Sequence, residues 1–168
     1  VLIDELTNKG TKESPLMYSE KGLFNGIGFD VDEDGQLEYE ENYIDGKKIM
    51  ESMWYENGQL GYEGNWKDGK EYGLSKIWYE NGQLEEENNY KDGEWDGLRK
   101  GWWENGQLKK ESNYKDGKRD GFGQNWYKNG QLSYEGNYKN GFEDGLQKTW
   151  LENGQQSFWW NYKDGEMN

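Results

Sequence analysis

Carboxylates offer the first chemistry in this chain. The stretch Asp30-Val-Asp32-Glu-Asp34-Gly35-Gln-Leu-Glu-Tyr-Glu-Glu41 places Asp30, Asp32, Asp34 and Glu41 at the offsets of an EF-hand loop. Such spacing lets oxygen ligands converge on a calcium ion while the glycine makes the sharp turn. Glu85, Glu86 and Glu87 form an acidic run, and two suitably placed carboxylates can hydrolyse glycosides. Ten Trp and 13 Tyr supply a second chemistry, because exposed rings stack on sugars and hold quaternary ammonium groups. The chain has no His and no Cys, which removes Ser–His and Cys–His nucleophiles and thiolate metal sites.

Repetition decides how these residues are read. Asp34-Gly35-Gln36-Leu37, Asn57-Gly58-Gln59-Leu60, Asn81-Gly82-Gln83-Leu84, Asn105-Gly106-Gln107-Leu108, Asn129-Gly130-Gln131-Leu132 and Asn153-Gly154-Gln155-Gln156 recur at one period. Their glycines stand 24 residues apart, except for a first interval of 23. Asp45-Gly46, Asp68-Gly69, Asp92-Gly93, Asp116-Gly117, Asn140-Gly141 and Asp164-Gly165 run in step. A fixed period of this length indicates an array of small stacked units. The calcium-like loop contains the first copy of a turn that recurs without the flanking acids, and no helical pattern brackets it. No metal is therefore expected there. A catalytic carboxylate pair should be unique, whereas these acids recur in most units, so the chain reads as non-enzymatic and without a cofactor.

The element that positions these residues is a hairpin. In the unit 73–93, Asn81-Gly82 is a strong two-residue turn signal, since a type I′ turn needs positive φ at both central residues. The flanks are rich in Trp, Tyr, Leu and Ile, which suit a pleated surface. A two-residue turn would set Tyr79 opposite Leu84, Trp78 opposite Glu85 and Lys76 opposite Glu87; Lys100 would likewise meet Glu111. The segments Gly93–Gly97 and Gly117–Gly121 read as looser return loops. Columns then repeat down the array: Trp54, Trp78, Trp102, Trp126 and Trp150; beside it Tyr55, Tyr79, Trp103, Tyr127 and Leu151; and an acidic column of Glu40, Glu63, Glu87, Glu111 and Glu135 that ends in Trp159. The expected fold is all-β: an elongated repeat array, a single twisted antiparallel meander of stacked two-stranded hairpin units. Residues 1–21, with the only proline at Pro15, read as a lead-in or cap, and 22–168 as the array.

Only 31% of residues are hydrophobic and the net charge is -14, a balance that points towards disorder. The 17% aromatic content and the strict period oppose it, so order is expected over 22–165. The acidic charge argues against nucleic acid or anionic membrane as the main ligand and favours a basic protein partner. No apolar run is long enough to span a bilayer and no secretory leader pattern is visible, which sets a cytoplasmic expectation. A leader removed before Val1 would instead make this a secreted or cell-surface protein.

Gly73, Trp78, Tyr79, Asn81-Gly82, Leu84, Glu87, Tyr90 and Asp92-Gly93 resemble the MORN repeat (membrane occupation and recognition nexus) in its bacterial variant of about 24 residues. The likeness recurs at constant spacing over residues 22–166. Ser19-Glu-Lys-Gly-Leu-Phe-Asn-Gly26 is similar to the start of bacterial arrays described as antitoxins of toxin–antitoxin systems. The resemblance implies an antiparallel β-meander and a non-enzymatic interaction role. Together these readings favour a protein–protein interaction module that neutralises a basic partner. The alternative is a bacterial surface module holding carbohydrate, choline or a host-cell component through its aromatic columns. The contact surface is expected to include Glu63, Glu87, Glu111 and Glu135 with the terminal Phe158, Trp159 and Trp160.

Overall fold

The computed structural model describes residues 1–8 and 17–168, so Pro15 lies outside the described residues. The chain divides into two compact units, Val1–Gly82 and Gln83–Asn168. The first opens with a 3₁₀ turn at Ile3–Glu5 and a three-stranded sheet of β1 (Thr7–Asn8), β2 (Met17–Ser19) and β3 (Gly22–Leu23). Its main sheet then runs through β4 (Gly26–Val31), β5 (Leu37–Ile44), β6 (Lys47–Trp54), β7 (Leu60–Lys67) and β8 (Lys70–Trp78), each antiparallel to the next. The second unit holds β9 (Leu84–Lys91), β10 (Glu94–Trp95), β11 (Gly97–Trp102), β12 (Leu108–Lys115), β13 (Lys118–Trp126), β14 (Leu132–Lys139), β15 (Phe142–Glu143), β16 (Gly145–Trp150), β17 (Gln156–Lys163) and β18 (Glu166–Met167). Here too each strand pairs with its sequence neighbour, with β10 and β11 both on β9, and β15 and β16 both on β14. α-Helix is absent among the described residues. Each unit is an antiparallel β-meander.

The two families of turn exchange the roles expected of them. Positive φ occurs at both residues of the Asp-Gly turns, for example 49° at Asp68 and 79° at Gly69, with Lys67 paired to Lys70. These are the tight two-residue turns whose twist matches the strands. In the Asn-Gly turns only the glycine is left-handed. Tyr55 N–H donates to Gln59 at 2.9 Å and Gly58 N–H to Tyr55 at 2.8 Å, a three-residue loop closed by glycine in αL. Trp54 therefore faces Leu60 and Trp102 faces Leu108, one place off the expected register. A bulge in the following residues restores it, and Lys100 still meets Glu111.

The motif has a physical reason at each position. The Asn105 carboxamide oxygen accepts from Gln107 N–H at 3.1 Å, while its Nδ2 donates 2.9 Å to the carbonyl of Lys128, 23 residues on. Asn57 and Asn129 make the same outward bond to Glu80 and Glu152. The ring before the turn does likewise: Tyr55 reaches the Trp78 carbonyl at 2.6 Å, Trp103 that of Trp126 at 3.2 Å and Tyr127 that of Trp150 at 2.7 Å. Each Gln then lies over the glycine of the next turn. A β-carbon on Gly82, at φ 80°, would sit 2.5 Å from Gln59 Oε1. Gly82→Val adds that collision to left-handed strain, which alone costs about 1–2 kcal/mol. Urea unfolding should show at least that loss; an unchanged midpoint contradicts this account of the turn.

The return strands are kinked where Gly73, Gly97, Gly121 and Gly145 take positive φ. The facing asparagine fills the kink, with Asn65 donating to the Leu74 carbonyl at 2.8 Å and Asn89 to that of Leu98 at 2.7 Å. In β8 three residues, Tyr72, Gly73 and Leu74, oppose the single Asn65, whereas in β6, one residue shorter, only Ile49 is extra. Among the described residues the buried apolar side chains are few, namely Leu6, Phe24 and Tyr43, with Phe24 and Tyr43 ring to edge at 5.6 Å. Apart from glycines, the other buried residues among those described are polar: Glu41, Ser52, Ser75, Asn88, Ser112 and Gln147. Val1 and Leu2 cover the outer edge of β4 through Phe29 N–H to Val1 at 3.0 Å and a parallel bridge from Leu2 to Phe29.

Candidate functional site

Within each unit the residues of the acidic column stand on one face of that unit's sheet, in a ladder with lysines. Glu63 is opposite Lys76, Lys100 is opposite both Glu87 and Glu111, and Lys148 is opposite both Glu135 and Trp159. Lys100 Nζ lies 3.1 Å from Glu111 and Lys148 Nζ 3.0 Å from Glu135, while Gln124 donates to Glu135 at 3.5 Å. Cross-strand pairs of this exposure contribute about 0.2–1 kcal/mol each and soften the column's field. At the end of the column the pattern changes. Trp159 continues it on the same face, whereas Phe158 and Trp160 lie on the other, stacked with centroids 5.9 Å apart. Phe158 and Trp159 are 63% and 65% exposed.

The opposite face of each unit is built by residues that the sequence did not mark as an ion cluster, although Glu41 and Glu86 stood out there as carboxylates. Glu41 accepts from Tyr39 at 2.9 Å and, in a short hydrogen bond, from Tyr43. Lys48 Nζ bridges Glu41 at 2.9 Å and Glu51 at 2.5 Å, and stands 3.7 Å from the centre of the Trp66 ring. Burial alone would raise the Glu41 carboxyl, but hydrogen bonds from Tyr43 and Lys48 with the lysine charge outweigh it, and the group titrates below its ordinary value. Burial and the neighbouring carboxylates push the Tyr39 and Tyr43 hydroxyls above any physiological pH. The second unit repeats the design with other residues. Glu86 is held by Arg99 at 2.8 Å and Lys110 at 2.5 Å, and Arg99 lies 4.0 Å over the Trp95 ring. For the first cluster one signal was available: Glu41 stands where the following units have Gly64, Asn88, Ser112, Gly136 and Trp160.

The calcium-like residues do not converge. Asp32 Oδ1 accepts from Asp34 N–H at 2.9 Å and Gln36 N–H at 2.8 Å, which ties it to the hairpin turn. Asp30 pairs with Tyr39 across the strands, and Glu41 is committed to Lys48 and two tyrosines. Among the described residues no group of three or more acids is placed to hold a metal ion. Calorimetric titration should show no micromolar calcium binding; binding at that level, lost in Asp30→Ala, would overturn the assignment.

A sequence profile described as the MORN repeat variant matches residues 24–45, 50–68, 71–92, 95–116 and 119–140, more than half of the chain. No curated protein matches it. The matched segments stop short of β17, the strand that carries Phe158, Trp159 and Trp160.

Proposed function

We propose, for a chain that belongs to the MORN repeat variant family, a role as a protein-binding module that engages a basic partner, in the manner of an antitoxin or immunity protein. MORN repeats are in general non-enzymatic modules that bind proteins or membranes. The observation that carries the narrower reading is the terminal strand, where exposed aromatics replace the acid of every interior unit. Aromatic side chains in an open position are the usual anchors of protein interfaces. The net charge of -14 supports a basic partner and gives it long-range attraction. Glu63, Glu87, Glu111 and Glu135 supply the charged contacts, and Phe158, Trp159 and Trp160 the apolar ones.

The same exposed rings suit carbohydrate or choline, so a surface-binding role is the competing reading. Charge separates the two. Capture of protein from the native cell should weaken when Glu63, Glu87, Glu111 and Glu135 are all changed to Gln, and should weaken further as salt rises. Capture indifferent to both would remove the acidic column from the contact surface.

A further inference from the structure

We propose that the hollow at Trp54 and Tyr55, in the unit Val1–Gly82, takes a lysine side chain of a basic polypeptide. The inference rests on the reading of a basic protein partner and deepens it, by naming where one of that partner's cations lodges.

The residue after Leu60, Leu108 and Leu132 is a bulged one that the strand pairing skips. It is Gly61 in the first case and Lys109 two periods on, while Glu38, Glu85 and Ser133 stand at the other corresponding interior positions. With no side chain at 61, the Tyr55 ring comes to 3.0 Å from where a β-carbon would stand. A largely apolar hollow of about 360 Å³ opens there, lined by Met53, Trp54, Tyr55, Gly61, Tyr62 and Ile77. Trp54 and Tyr55 also line a second hollow, of about 460 Å³, with Glu56, Asn57 and Glu80. Glu56 and Glu80 are exposed, and neither carboxylate is ion-paired among the described residues. All of these residues belong to the one unit.

The chain itself shows what a ring at this position accepts. Trp103 corresponds to Tyr55, and there Lys109 Nζ lies 4.6 Å and Lys128 Nζ 5.3 Å from the ring centre. Lys109 stands at the position of Gly61, and Lys128 at that of Glu80. Trp103 thus receives two cations from its own unit, whereas at Tyr55 the first position is an open hollow and the second a carboxylate. An aromatic face attracts an ammonium group, and a lysine stem packs on apolar surface while its charge stays at the rim. A lysine entering here lays its stem along Met53, Ile77 and the Tyr62 ring, passes Trp54 and Tyr55, and donates from Nζ to Glu56 and Glu80. Its three N–H donors suit two carboxylates. A quaternary ammonium such as choline has no donor and would use the rings alone.

NMR titration of the whole chain with Nα-acetyl-lysine methylamide, a single lysine side chain with no other charge, tests this. The Met53 methyl lines the hollow and is one of only four in the chain, so its signal reports the site. The expected result is a saturable shift of that signal. Glu80→Lys puts at 80 the residue type that position 128 carries, and should raise the dissociation constant at least about tenfold while circular dichroism stays unchanged. Glu56→Gln should raise it in the same direction. Glu152→Lys makes the same change of net charge at the corresponding place in the unit Gln83–Asn168 and should leave binding at Met53 as it was. An unmoved Met53 signal, equal weakening by Glu80→Lys and Glu152→Lys, or choline bound as tightly as the lysine derivative would each overturn the proposal. Partner capture from the cell is read separately. A captured protein with a silent Met53 removes this site alone, whereas lysine binding with no protein retained removes the proposed function.

Discussion

Lys48→Ala is expected to destabilise the unit Val1–Gly82 by about 3 kcal/mol, the lower end of the cost of breaking a buried ion cluster. Among the described residues Lys48 is the cation that pairs with both Glu41 and Glu51, which face each other across β5 and β6. Side-chain exposures of 17%, 11% and 13% leave little water to replace it. The lower end applies because an uncompensated carboxylate takes up a proton instead of remaining charged. The exposed pair Lys47–Asp68, at 2.7 Å with exposures of 46% and 61%, sets the contrast: solvent screens it, and its loss should leave the urea midpoint nearly unmoved. Acid titration gives a second readout. Because the folded Glu41 carboxyl lies below its ordinary value, its contribution is full above the unfolded value and is lost as pH falls through the folded one. Glu41→Gln should flatten the acid side of the stability curve. Equal losses for Lys48→Ala and Lys47→Ala in urea unfolding would contradict this ranking.

Gly136→Val should cost about 1–3 kcal/mol or more in the unit Gln83–Asn168, through overpacking. A β-carbon there would fall 1.5 Å from Gln147 Oε1 and 2.5 Å from the Tyr134 hydroxyl. Flexible side chains usually yield, but Gln147 is 1% exposed and fixed at both ends. It accepts from Tyr134 at 2.5 Å and donates to the Asn137 carbonyl at 2.8 Å. Moving it away leaves buried polar groups unpaired, which adds to the steric term. Thermal unfolding read by tryptophan fluorescence would show the loss, and a wild-type midpoint would mean that Gln147 has another rotamer available.

The strand order was legible because it depends on the spacing of the Asx-Gly pairs, which the period makes plain. Turn type was not, because Asn-Gly serves a two-residue turn and a three-residue loop equally well as a dipeptide. The bulge after Leu108 compensates for the longer loop, so the pairing of Lys100 with Glu111 came out as expected even though Trp102 did not face its expected partner. Alternation assigned the acidic column and Trp159 to one face, but it could not reveal that Lys48 sits between two glutamates. That contact joins three residues across a shortened bulge at Ile49, where the repeat itself fails. The terminal strand was visible as a departure from the period.

The most direct test of the interaction role sets two probes side by side: affinity capture from the native cell with identification of retained proteins, and an array of glycans and choline-bearing ligands. The account predicts a basic protein retained by the wild-type chain, reduced for the variant with Gln at 63, 87, 111 and 135, and a silent array. No retained protein together with a strong array signal would contradict it.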